Sequence, residues 1–515
     1  MRLGIYRPFA PPRAMTLSRA VVAEHAVVAS EQPLASLAGY DVLRSGGNAF
    51  DAAVATSLAL AVTFHPAGGL GGDFLGLFYD AKTGKVACLN SSGWAPSGLT
   101  ADLVSKAGGG KVPLFGPTSC VVPGYAAGVW EMHRRLGSLE FERLVAPAQG
   151  YAARGFPAGE GICRSTAGAF DVLPQEAKEV FAPAGRPPTP GEWIKQEALG
   201  RVLSALASEG PAAFYSGMPA ERIASKLQGL GVPADASDFG DFRPEWVDPI
   251  SLDYRGVKVY EMPPNTMGPT SLLILKLLSE QGMQGFGPLS KERVEATTEA
   301  AIAAYRRRDE LLADPRFFPF DLAEFLSLPP SGPVPAGLRS GDTTAFSVCD
   351  REGNMVSGIQ SLFHHFGSRL WVPECGLVLN NRGAGFSLQG PNAPAPRKRP
   401  LHTLSSLILE REGRPFLAIG ASGGEWRPLQ HALFVTNAAD YAMPAEQNVS
   451  HPRFLWGGGK SLMVEQGYEF PAEGKYSIQS LPMPGRTGVC QAVEVSGRYR
   501  KGVCDVRGDG VPAGF

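Results

Sequence analysis

The chain has 515 residues, 44% of them hydrophobic and 19% charged, with a formal net charge of -1. That balance supplies apolar surface for a large core, and it gives no electrostatic reason to expect nucleic acid or an anionic membrane as a partner. No apolar run reaches the ~18–20 residues of a membrane span.

Elements follow in chain order. The N-terminal stretch MRLGIYRPFAPPRAMTLSRA carries positive charge, but prolines stand where a secretory signal needs an apolar core, so cytoplasmic residence is expected. Asn48 and Asp51 have the spacing of a helix capping box. Residues 52–64 are apolar almost all round, which predicts a buried helix rather than an amphipathic one. Residues 74–79 and 86–89 read as strands joined by a turn at 80–85. The glycines at 68, 69, 71 and 72 do not form a phosphate loop, because a helix precedes them and a strand follows, the reverse of the order a dinucleotide site needs. They are expected to allow close backbone packing.

Residues 125–325 read as mainly helical. At 197–209, Leu199, Val202, Leu203 and Leu206 form one stripe and Gly210 is the stop. Pro/Gly-rich loops are expected at 182–191, 327–342 and 391–400. Arg397, Lys398 and Arg399, in the last of these, read as a solvated loop. A strand at 345–349, a turn at 350–354 and a strand at 355–361 repeat the earlier hairpin pattern. Strands at 404–409 and 416–419 and a helix over 429–442 complete the reading. Two hairpin-and-helix units predict a layered α/β body.

The seven cysteines are scattered, odd in number and without a C-x-x-C pair, so neither a disulfide framework nor a zinc site is indicated. Cys349 reads as a small buried hydrophobe. His364 and His365, taken as neighbours on a strand, point to opposite faces and cannot readily share a metal ion. No metal and no cofactor are expected.

Chemistry concentrates at Thr343. A flexible Pro/Gly-rich stretch ends at Asp342, and a strand begins with Thr343-Thr-Ala-Phe-Ser-Val. A threonine there can attack the carbonyl before it. The freed α-amine, with a pKa near neutrality, can then serve as general base to the same hydroxyl. Gly423 and Gly424, after the strand at 416–419, can present unobstructed backbone N–H groups to an oxyanion.

The chain resembles the γ-glutamyltransferase family of N-terminal-nucleophile hydrolases. The likeness starts at Ser30-Glu-Gln-Pro-Leu-Ala-Ser and Leu43-Arg-Ser-Gly-Gly-Asn-Ala-Phe-Asp-Ala-Ala-Val. It resumes at Val122-Pro-Gly-Tyr-Ala-Ala-Gly, Asp253-Tyr-Arg-Gly and Met262-Pro-Pro. It continues through the Thr343 strand, Phe366-Gly-Ser, Leu379-Asn-Asn, Arg399-Pro-Leu and Gly423-Gly to Ala513-Gly-Phe. The resemblance implies a four-layer αββα sandwich. It also implies cleavage between Asp342 and Thr343 into a large region, 1–342, and a small one, 343–515, which stay associated as two chains or a higher oligomer. By the same likeness, Gly423 and Gly424 form the oxyanion hole, and Thr344, Ser361 and Asn381 orient the nucleophile.

The departures concern the substrate. The family holds a γ-glutamyl α-carboxylate with an Arg in an Arg-Glu-x-Ala-Pro context, where this chain has Ser92. Its second Asp in Asn-Asn-Gln-Met-Asp-Asp-Phe-Ser is Gly385 here, and its Gln is Arg382. Gly71-Gly-Asp-Phe74, Pro263-Pro-Asn, His402-Thr403 and Gly423-Gly-Glu-Trp-Arg-Pro are similar to the oxamate-amidohydrolase-like branch. This points to a small carboxylate-bearing amide as substrate. Arg382 and Arg427 are candidate carboxylate anchors, and Asp73, His402 and Thr403 are further candidates for the pocket. A γ-glutamyltransferase with a divergent pocket and a non-catalytic relative remain as alternatives.

Overall fold

The computed structural model describes residues 19–327, 332–335, 337–468 and 474–515. The reading of the first 18 residues, and positions 328–331 and 336 of the Pro/Gly-rich stretch, lie outside them.

Two seven-stranded sheets form the centre. In the first, the strands run in the spatial order Ala513–Gly514, Val27–Ser30, Asp342–Cys349, Met355–Phe363, Asp73–Asp80, Lys85–Ser91 and Glu245–Val247. In the second the order is Arg19–Ala23, Tyr499–Cys504, Cys490–Ser496, Arg414–Ala421, Ser406–Arg411, Val257–Glu261 and Ile250–Tyr254. Between the sheets lies a narrow apolar layer that includes Leu75, Ala345, Cys349, Ile359, Ile408, Ala418 and Val493. Cys349 is therefore the buried hydrophobe expected of it. Helices cover both outer faces, giving the four-layer αββα sandwich.

The helix Ala49–Thr63 shows why a nearly unpatterned apolar run was the right signal. Every residue in it is buried, because Pro33–Arg44 and other helices cover the face that the sheet does not. Asn48 and Asp51 close the capping box, and Asp350, in the turn of a distant hairpin, accepts from the Ala49 N–H at 2.8 Å. On the opposite face, Gly268–Ser279, Lys291–Leu311 and Arg427–Ala439 pack on the second sheet. The helix Glu197–Glu209 ends at Gly210 with φ +67°, as its stripe and stop residue predict.

Three expectations need correction. The mainly helical middle is interrupted at 245–261 by three strands that complete both sheets. The alternation of buried Val257, Val259 and Glu261 after the positive-φ turn Arg255–Gly256 was the available signal. The basic cluster is not solvated as a whole. Arg399 is buried against Glu245 at 2.7 Å and the Ser92 carbonyl at 3.1 Å, Lys398 donates to the Pro391 carbonyl, and Arg397 alone is exposed, paired with Asp241. Finally, His364 and His365 are not on a strand. The strand ends at Phe363, and both lie in the turn after it.

Candidate active site

Thr343 is the second residue of the strand Asp342–Cys349, and the pairing with Met355–Phe363 is irregular there. Asp342 lies opposite Phe363 while Thr344 lies opposite Gln360, so a bulge spans the Asp342–Thr343 peptide. Phe363, directly across, holds a positive φ of 86°. For a bulky residue this is a strained conformation, of order 1–3 kcal/mol, kept only where the surroundings impose it.

The Thr343 hydroxyl is buried and donates to Ser361 Oγ at 3.3 Å. Ser361 Oγ in turn donates to the Asp342 carbonyl at 2.7 Å and accepts from the Phe363 N–H at 2.7 Å. One serine hydroxyl thus joins the candidate nucleophile to the carbonyl it would attack. Hydrogen bonding to that carbonyl oxygen polarises it, and the same geometry stabilises the oxyanion that attack would create.

The other two candidate orienting residues stand further out. Thr344 points to the opposite face of the strand, as alternation requires, toward Gly68 and the buried Glu31 carboxyl. Its hydroxyl completes no hydrogen bond of ordinary geometry there. Asn381 braces the turn rather than the hydroxyl. Its side chain accepts from the His364 N–H at 3.0 Å, donates to the Leu114 carbonyl at 2.9 Å and lies 3.1 Å from His364 Nδ1. His365 donates its N–H to the Asp342 carboxylate at 2.9 Å. The glycine run packs as expected: a Cβ on Gly72 would come within 2.4 Å of the Ser361 carbonyl, and one on Gly71 within 2.1 Å of the Val378 carbonyl.

Gly423 and Gly424 have φ of +140° and +59°. A Cβ on Gly424 would lie 2.4 Å from the Gly341 nitrogen, and one on Gly423 would strike the Gln430 amide at 2.6 Å. Conformation and space therefore both demand glycine. Among the described residues neither N–H has an acceptor, and the pair lies against the chain two residues before Thr343.

A buried polar cluster lies against the Phe363 ring. The Arg382 guanidinium sits 4.4 Å from that ring's centroid, donates to Thr403 Oγ1 at 2.9 Å and stands 3.5 Å from Asp73. His402 Nε2 is 2.8 Å from Asp73, and its Nδ1 accepts from the Leu404 N–H, so the ring proton belongs on Nε2. The other Asp73 oxygen accepts from the Gly93 N–H at 2.7 Å. Arg427 is tied by Nε to the Ala421 carbonyl at 2.7 Å.

Asp73, Arg382, His402 and Thr403 are thus brought together, with Arg427 close enough to depress the basicity of His402. Arg382 Nη2 and both terminal nitrogens of Arg427 have no hydrogen-bond partner among the described residues, and Arg382 Nε has only the long 3.5 Å approach to Asp73. Burial lowers Arg382 to about 10; burial and Arg382 lower Arg427 to about 9, and both remain cationic at neutral pH. Unpaired buried guanidinium N–H groups are costly unless an anion completes them.

Ser92 and Gly385 stand at the two positions where the sequence departs from the family pattern. Ser92 is buried and bonded to Asn90 at 2.7 Å, and a Cβ on Gly385 would meet the Leu401 carbonyl at 2.5 Å. Sequence reasoning missed Arg339 and Glu425, which join the stretch before Thr343 to the glycine turn, although Glu425 stood inside a string already singled out. It also missed Glu261, which accepts from His431 and Ser405 at 2.6 Å each.

The histidines give the fold an acid limit. Burial is the leading cause that lowers His402, His364 and His451 to about 4 and His65 to about 3, so they are neutral in the fold at pH values where they charge in the unfolded chain. The unfolded state then binds more protons, so stability is full above pH ~6.5 and is lost as pH falls toward 4. Glu31, raised well above its ordinary value by burial, acts in the opposite sense but is a single group. The unfolding midpoint should therefore fall by several degrees, ~5 °C or more, between pH 7.5 and 5. A flat or rising midpoint over that range would refute neutral burial of these rings.

Comparisons with known proteins agree with this architecture. The gamma-glutamyltranspeptidase family profile matches residues 35–515. The chain is 34% identical to the glutathione hydrolase-like YwrD proenzyme of Bacillus subtilis, over 97% of this chain and 100% of that protein. It is 31% identical to the oxamate amidohydrolase proenzyme of Klebsiella pneumoniae, over 88% of this chain and 89% of that one. The solved structure of cephalosporin acylase from Bacillus halodurans superposes with a TM-score of 0.88 at 30% identity, covering 100% of this chain and 99% of that one. With its sheet order and near-complete coverage, this chain is an enzyme of the gamma-glutamyltranspeptidase family of N-terminal-nucleophile hydrolases.

Proposed function

We propose that the chain cleaves itself between Asp342 and Thr343 and then acts as a Thr-nucleophile hydrolase on a small amide that carries a carboxylate. The observation that carries this reading is the hydrogen-bonded relay from the Thr343 hydroxyl through Ser361 to the Asp342 carbonyl. In self-cleavage the Thr343 oxygen adds to the Asp342 carbonyl carbon and the C–N bond breaks. The hydroxyl proton passes to the departing α-amine, and water hydrolyses the resulting ester to a carboxylate and a free hydroxyl. The new amine then serves as base when the same oxygen attacks substrate, and Gly423 and Gly424 offer N–H groups to the oxyanion.

Regions 1–342 and 343–515 would remain one body. The strand Asp342–Cys349 is hydrogen-bonded to Val27–Ser30, and Met355–Phe363 is bonded to Asp73–Asp80. Separating the regions would dismantle a sheet. Seven free, buried cysteines support a reducing, cytoplasmic setting.

The carboxylate requirement rests on Arg382, with Arg427 behind it. Two buried cations with unused N–H groups are suited to an anion, whereas Ser92 and Gly385 leave a γ-glutamyl α-carboxylate and α-amine unmatched. The deciding test is a screen of processed protein against oxamate, simple carboxamides, N-acyl amino acids, glutathione and a γ-glutamyl anilide. Turnover should concentrate on small amides with a nearby carboxylate. Preference for the γ-glutamyl compounds would reverse the substrate assignment.

A further inference from the structure

Just before the Asp342–Thr343 bond, the chain is held by an ion pair that the self-cleavage chemistry does not itself use. Arg339 donates from Nε to Glu425 Oε1 at 2.9 Å and from its backbone N–H to Oε2 at 3.1 Å. The Glu425 N–H returns a bond to the Arg339 carbonyl at 3.0 Å. Arg339 also reaches the Ala384 carbonyl at 2.6 Å.

Glu425 is well placed to be the fixed half. It follows Gly424 directly, its carbonyl accepts from the buried Tyr305 hydroxyl at 2.7 Å, and Arg308 stands 3.8 Å from its carboxylate. Burial pushes the Glu425 carboxyl up, but Arg308 and Arg339 outweigh it and leave it below the ordinary carboxylate value, hence ionised. The two glycines adjacent to this pair touch: a Cβ on Gly341 would come within 3.0 Å of Gly424 Cα. Beside the pair is a cavity of about 350 Å³ lined in part by Arg308, Asp309, Pro335 and Gly337.

We infer that the Arg339–Glu425 pair is a positioning clamp for self-cleavage, holding residues 339–342 against the glycine turn so that the Asp342 carbonyl stays on the Thr343 hydroxyl. The inference rests on the proposed self-cleavage and adds two positioning residues that neither give nor take a proton. Proximity effects of this kind are lost when a flexible segment is released. Arg339 is about half exposed, with 47% of its side chain accessible, so the pair is also open to screening by salt.

The test follows cleavage of freshly made full-length chain by denaturing electrophoresis. Arg339→Gln and Glu425→Gln should each slow cleavage by about tenfold or more, and the double variant should be no slower than the slower single one, because one interaction is removed once. Arg339→Lys should restore part of the rate, and 0.5 M salt, by shortening the screening length, should slow the wild type but not Arg339→Gln. A merely structural role predicts none of this selectivity. Unfolding midpoints measured in the Thr343→Ala background identify any variant that fails to fold; should Glu425→Gln fail, the salt and Arg339 arms still decide. Wild-type cleavage with an unchanged rate in Arg339→Gln sinks the clamp alone. A wild type that never cleaves at Asp342–Thr343 sinks the self-cleavage reading beneath it.

Discussion

Replacing Thr343 by alanine should leave a single uncut 515-residue chain with no amide turnover. The hydroxyl has two successive tasks, attack on the Asp342 carbonyl and attack on substrate, and alanine removes both. The second task also needs the α-amine that only the first releases. Loss of a nucleophile in acyl transfer costs on the order of 10⁶ in kcat. Little of the loss should come from unfolding. Thr343 is a small buried residue whose side-chain hydrogen bond to Ser361 spans 3.3 Å, and such a bond contributes only about 1 kcal/mol net. Thr343→Ser keeps the oxygen but loses the β-branch that restricts χ1, so it should cleave more slowly and still reach completion. Electrophoresis and N-terminal sequencing read the cut; a wild type should show a new chain beginning Thr-Thr-Ala-Phe. An alanine variant that is cut at the same bond, or an active wild type that stays whole, would each overturn the mechanism.

What could be read from the sequence was whatever local chemistry enforces. The capping box at Asn48, the stop at Gly210 and the unbroken apolar run of the Ala49–Thr63 helix depend on neighbours in the chain, and the structure keeps all three. Thr343 stood out as a candidate nucleophile because a glycine-rich approach meets a strand-heading hydroxyl. The strands after residue 450, such as Cys490–Ser496 and Tyr499–Cys504, are set by pairing with partners far along the chain, and they carried no comparable local mark. The site shows the same division. That Arg382 departs from the family pattern was visible in its replacement of a glutamine. That it shares Asp73 with His402 across more than 300 positions was not, because a long-range pair leaves no spacing rule behind. Thr344 and Asn381 were placed too close to the nucleophile for a related reason. Strand alternation turns Thr344 away, and the turn after Phe363 takes up both polar ends of the Asn381 side chain.

Arg382→Ala should lower kcat/KM on a carboxylate-bearing amide by about 10²- to 10³-fold, the equivalent of one or two charge-assisted hydrogen bonds. The guanidinium is fully buried, Nε faces Asp73 at 3.5 Å and Nη2 has no hydrogen-bond partner among the described residues, so an incoming carboxylate would find an open donor beside a cation. Three controls separate anchoring from damage. Self-cleavage should proceed, because it uses no external substrate. A neutral amide of the same size should lose little, because it never engaged the cation. Arg382→Lys should recover only part of the loss, since an ammonium cannot reproduce two parallel N–H donors. Removal of the cation also leaves Asp73 with His402 and backbone donors alone, so some stability will be lost, and the unfolding midpoint must be measured beside the kinetics. Equal losses on charged and neutral amides would mean that Arg382 supports the pocket without reading the substrate. Efficient glutathione turnover by the wild type would mean that a γ-glutamyl group is held here by residues other than Ser92 and Gly385, and the single-carboxylate assignment would have to be abandoned.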